Sequence, residues 1–170
     1  MCKKYKKLRC YMIFGIIFTI AVGSLMHYAY EWSGNSFIIG LIAPVNESTW
    51  EHMKLVFFPM LVYSIFSICK LKEDYPCIIS GLSIGLLLAT FLIPVLYYTY
   101  TGILGFHVLW VDITIFIFCV VIGFIAAYRT TINCFFRNFQ SFFLFLVILT
   151  TICFFLFTIK PPQLGLFQIP

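Results

Sequence analysis

The chain has 170 residues, 62% of them hydrophobic and only 10% charged, with a formal net charge of +5. A soluble domain is nearer half apolar and a quarter charged, so this composition excludes an ordinary soluble enzyme or binding domain and points to an integral membrane protein whose partner is the lipid bilayer. Membrane topology accounts for the positive balance, and no nucleic-acid partner is expected.

The apolar residues arrive in five long runs, which predict an all-α integral membrane helical bundle of about five transmembrane helices forming a single membrane domain over residues 1–170. The first span, about residues 10–30, follows Lys3, Lys4, Lys6, Lys7 and Arg9. It is longer than the ~7–15-residue apolar core of a signal peptide, and no small-x-small cleavage site follows it. A retained signal-anchor helix is therefore expected. Phe37 to Ala43 is too short to span and is left open as a re-entrant piece.

Pro44 to Lys54, PVNESTWEHMK, is a dense polar cluster between apolar segments. Polar groups next to a bilayer are costly unless satisfied or used, which makes this segment the first place to look for function. Within it, Ser48-Thr49-Trp50-Glu51 fits a capping box, with the Glu51 carboxylate reaching back to the Ser48 backbone. The second span then runs over about residues 49–70, with a kink expected at Pro59. The third, about 76–98, opens on Pro76, carries Gly81 and Gly85 as a GxxxG contact, and bends near Pro94. The fourth, about 106–128, carries His107 and Asp112; the fifth, about 139–159, ends before Pro161-Pro162.

Placing the N-terminus in the cytoplasm and the C-terminus outside puts nine of the eleven Lys and Arg on the cytoplasmic side, leaving Lys54 and Lys160 outside. Trp32, Trp50 and Trp110 then fall near the outer interface, as an aromatic belt would. The seven cysteines form no CxxC pair and are expected to be small apolar fillers.

This topology collects His27, Glu31, Glu47, Glu51, His52, His107 and Asp112 toward the outer side. Histidines and carboxylates drawn from separate helices are the donor set of a zinc or other divalent-metal site. The metal-ligand candidates are His27, Glu31, His52 and His107; the base candidates are Glu51, Glu47 and Asp112. Asn46, Lys54 and Trp50 are candidates for holding substrate. His27 and Glu31, four apart, share a helix face. His107 and Asp112, five apart, would diverge by about 140° on an ideal helix, so one site holding both needs a wide cavity or a local distortion. The bland readings stand beside these: interfacial histidines, and Ser48 and Glu51 as a cap alone. Asp112 is the hardest to dismiss, because a charge at the bilayer centre costs ~2.5–3.5 kcal/mol even on the lenient insertion scale.

HYAYEW (His27 to Trp32), APVNESTWEHMKLVFFPML (Ala43 to Leu61) and the PP…LF tail resemble a family of small multi-pass membrane proteins of Gram-positive, clostridia-like bacteria, with the NES-WEH-K segment as its specific part. The resemblance implies a bacterial cell-membrane protein, supplies no activity, and implies a tail longer than one ending at Pro170.

The function expected is an outward-facing His/acid pocket, with a divalent metal supporting hydrolysis of a lipid-linked or small substrate. The alternatives are a transport or channel component with a proton or cation pathway, or an accessory membrane subunit. A homodimer or a membrane partner protein is the association the transport reading would need, and a partner protein the accessory one.

Overall fold

The computed structural model describes residues 2–168, with side chains from residue 5 onward. The side chains of Lys3 and Lys4, and Pro170, lie outside what is described. Six α-helices follow in order: α1 (Cys2–Trp32), α2 (Phe37–Ile42), α3 (Thr49–Leu71), α4 (Ile78–Leu104), α5 (Leu109–Asn133) and α6 (Gln140–Ile159). Among the described residues, five helices, all but α2, are long and apolar enough to cross a membrane.

Short connections make these five helices alternate in direction. The start of α1, the α3–α4 turn and the α5–α6 turn therefore share one end of the bundle, where Lys7 Nζ meets Asp74 Oδ2 at 2.6 Å. This is the lysine end. The end of α1, the polar segment before α3 and the α4–α5 loop share the other, the histidine end.

The packing centres on α3 and α4, the most enclosed of the five. Val56, Phe57, Met60, Leu82, Leu86 and Phe124 are buried to within a percent of full enclosure. α4 and α5 form the most extensive pair because small residues face each other: a Cβ added at Gly123 would sit 2.7 Å from the Gly85 carbonyl oxygen. The expected GxxxG contact is thus made by α4 against α5, with Ala127 and Gly123 supplying the small partners.

The cysteine expectation needs correcting. Cys77, just before α4, and Cys134, just after α5, are joined by a disulfide with a Cα–Cα separation of 5.4 Å. Sequence spacing gave no hint, because the two lie 57 residues apart and meet only through the α4–α5 pairing. Cys119 is buried, as a filler would be.

Helix ends also differ from expectation. α4 starts at Ile78, two residues after Pro76, and continues unbroken past Pro94 to Leu104. Gly105, at φ 80°, then caps it in the left-handed region by donating its N–H to Thr101. The chain consequently stays out of helix until Leu109, leaving His107 in the loop.

Candidate metal centre

Within Pro44–Lys54, side chains divide between the protein interior and a cavity. Ser48 Oγ accepts from the Glu51 N–H at 3.4 Å, so the helix cap forms. The return half of the box does not. The Ser48 N–H goes to Asn46 Oδ1 at 2.9 Å, and Glu51 Oε2 accepts instead from the Val45 N–H and from Lys54 Nζ, at 3.0 and 2.6 Å. Lys54, wholly buried, also donates to the Gly40 carbonyl at 3.0 Å and to Thr158 Oγ1 at 2.6 Å. Its three donors are thereby used, and α2, α3 and α6 are tied together. Trp50 is buried against Phe154 and against Phe167 of the C-terminal tail. Glu51, Lys54 and Trp50 therefore serve the interior, and Asn46 shapes the turn.

Glu47, Thr49 and His52 face the other way, into a cavity of about 360 Å³ at the histidine end. α1 contributes His27, α4 contributes Ile93 and Tyr97, and His107 and Asp112 come from the loop before α5 and its first turn. The polar rim gives way to Leu55, Ile93, Ile115 and Phe116. Each is about one helical turn farther from the histidine end than the polar residue above it on the same helix.

His27 and His52 are brought together by a backbone contact beneath them. Pro59 has no N–H, so the Leu55 carbonyl loses its helical partner. The α1 backbone lies against that carbonyl at Gly23, where an added Cβ would collide with it and with Phe116. Because α1 and α3 are antiparallel, four residues on from Gly23 and three back from Leu55 bring His27 over His52. Their ring centroids are 5.4 Å apart.

One ligand atom each from His27, Glu47 and His52 lies within 4.8 Å of the others. A tetrahedral ion with bonds near 2.0–2.1 Å needs such atoms about 3.3 Å apart, a closure that the exposed Glu47 side chain can make. The His52 ring nitrogens support this arrangement. Nδ1 is 3.0 Å from the Ser48 carbonyl, which can only accept, so Nδ1 carries the proton. Nε2 lies 3.3 Å from Glu47 Oε2. A protonated His52 pairs with the Glu47 carboxylate through that nitrogen, and a neutral His52 offers its Nε2 lone pair beside the carboxylate to a shared metal ion. His27 Nδ1 is buried with no hydrogen-bond partner, the kind of orphan that calls for an explanation.

Across the cavity, Tyr100 OH donates to Asp112 Oδ1 and accepts from the Val108 N–H at 3.2 Å. Asp112 Oδ2 is 3.6 Å from His107 Nδ1. The divergence expected between His107 and Asp112 disappears because His107 precedes the helix and Val108 is extended, at φ −131° and ψ 115°. Glu31 is exposed and stays outside the three-residue cluster. Sequence reasoning missed Tyr100; the YYTY run at 97–100 was the available signal.

A family model described as a family of unknown function (DUF6512) matches residues 1–169. No curated protein and no solved structure matches the chain.

Proposed function

From the premise that the chain belongs to this family of unknown function, we propose that it is a multi-pass membrane protein in which His27, Glu47 and His52 hold a divalent metal, zinc or a close relative, for hydrolysis of a lipid-linked or small substrate. Two imidazoles and one carboxylate are a donor set of catalytic zinc sites, where a fourth position stays open to water or substrate. That position would face the cavity. A metal there supplies Lewis-acid polarisation and lowers the pKa of bound water.

The observation that carries the reading is the convergence of one ligand atom each from His27, Glu47 and His52 to within 4.8 Å of one another. With Nδ1 turned to the Ser48 carbonyl at 3.0 Å, Nε2 is the nitrogen turned to Glu47 Oε2 at 3.3 Å, beside His27, so both can serve as ligand atoms to one ion. The polar rim over an apolar floor suits an amphiphile with its reacting head at the metal. That floor of Leu55, Ile93, Ile115 and Phe116 also favours a closed pocket over an ion route leading on from Asp112. The positive-inside bias supports an orientation with the lysine end in the cytoplasm and the pocket outside.

Metal analysis of protein purified in detergent and equilibrated with zinc tests this. One ion per chain is expected, lost in His52→Ala and in His27→Ala and weakened in Glu47→Gln. Wild-type protein without stoichiometric metal would overturn it. Affinity should also fall on acidification, since protons compete for the imidazole nitrogens.

A further inference from the structure

We infer that His107 is the proton acceptor for the water that attacks the substrate, held in position by Asp112 and Tyr100; this rests on the metal reading of the facing wall. If the metal takes His27, Glu47 and His52, those side chains are spent as ligands. Glu51, the other carboxylate suited by its sequence position, is locked by Lys54 and the Val45 N–H inside the protein. That leaves the opposite wall of the same cavity, where His107 is the basic group.

Its surroundings set its chemistry. The Asp112 carboxylate faces Nδ1, favouring the proton on that nitrogen and leaving the Nε2 lone pair available. Asp112 is itself aligned by Tyr100, whose hydroxyl is in turn fixed by the Val108 N–H. The 3.6 Å His107–Asp112 separation is longer than a hydrogen bond, as is common for catalytic contacts before substrate is bound. His107, with its side chain 57% exposed, has room to close that gap.

The step balances with water as the only co-reactant. The water oxygen bonds to the acyl or phosphoryl centre and its proton passes to His107 Nε2. The ester bond then breaks and the imidazolium returns the proton to the departing alkoxide. The other titratable groups facing the cavity or the dyad are His27 of α1, Glu47 before α3, His52 of α3, Tyr97 and Tyr100 of α4, and Asp112 of α5.

Cobalt(II) serves as a probe metal whose visible spectrum reports ionisation of its bound water. Wild type and His107→Gln should bind the same one equivalent of cobalt. The midpoint of the pH-dependent spectral change should lie higher in His107→Gln by about one pH unit, because the variant has no imidazole to take the water's proton and, as the imidazolium so formed, stabilise the hydroxide left behind. An unmoved midpoint with cobalt fully bound overturns the role of His107 and leaves the metal site standing. Loss of cobalt in His107→Gln makes it a ligand and also overturns the role. Failure of the wild type to bind cobalt removes the metal reading, and this inference with it. In ¹⁵N-histidine spectra of metal-free protein, His107 should be the Nδ1–H tautomer, and Asp112→Asn should abolish that preference. A tautomer indifferent to Asp112 would overturn its positioning role.

Discussion

At the scale of single residues, PVNESTWEHMK is two structures interleaved. Ser48, Trp50, Glu51 and Lys54 turn inward, while Glu47, Thr49 and His52 turn to the cavity. The inward set contains the Glu51–Lys54 pair, with side chains 3% and 0% exposed. Breaking a buried pair by removing one partner strands the other and costs about 3–5 kcal/mol. Lys54→Ala should therefore lower stability by that order in detergent unfolding, with the Glu51→Gln/Lys54→Met double variant recovering part of the loss. A Lys54→Ala protein as stable as the wild type would show that the pair is not a structural tie. The residue types of the site were legible in the sequence, since His27, His52, His107, Glu47 and Asp112 stand out in a greasy chain. Their division of labour was not. Glu47 and Glu51 are four apart, but Glu47 lies before the Ser48 cap, where helical spacing does not set the direction of its side chain.

At the scale of elements, the five long helices follow from runs of apolar residues bounded by charges and prolines. What the runs do not encode is how closely two helices approach. Pro59 reads as a kink and Gly23 carries no signal of its own, yet together they let α1 rest on the Leu55 carbonyl. Gly23→Leu should push α1 away from α3 and cut metal affinity at least tenfold while every ligand remains; undiminished affinity would dissociate helix approach from the site. The placement of His107 escaped prediction for a related reason. The left-handed turn at Gly105 and the extended Val108 delay α5 to Leu109, and apolar periodicity does not register a loop of four residues between hydrophobic helices.

At the scale of the molecule, the bundle separates its chemistry by end. Lys7 with Asp74 and the Cys77–Cys134 disulfide occupy one end, and the candidate ligands His27, Glu47 and His52 and the His107–Asp112 pair occupy the other. The disulfide joins α4 to α5 at the far end of their pairing, where Gly85, Gly123 and Ala127 already hold the helices together. If the lysine end faces the cytoplasm, the pair would be kept as thiols there. Reduction should accordingly leave metal stoichiometry unchanged, as metal analysis before and after reductant would show. Loss of metal on reduction would tie the two ends together.

The most direct measurement is X-ray absorption at the zinc edge of the zinc-loaded protein. Nitrogen and oxygen ligands near 2.0–2.1 Å are expected, with outer-shell scattering from two imidazoles and no sulfur shell. In His52→Ala, one imidazole contribution should disappear along with most of the bound zinc. A sulfur shell near 2.3 Å would place the metal on cysteine, and an unchanged spectrum in His52→Ala would place it elsewhere; either result contradicts a centre built from His27, Glu47 and His52.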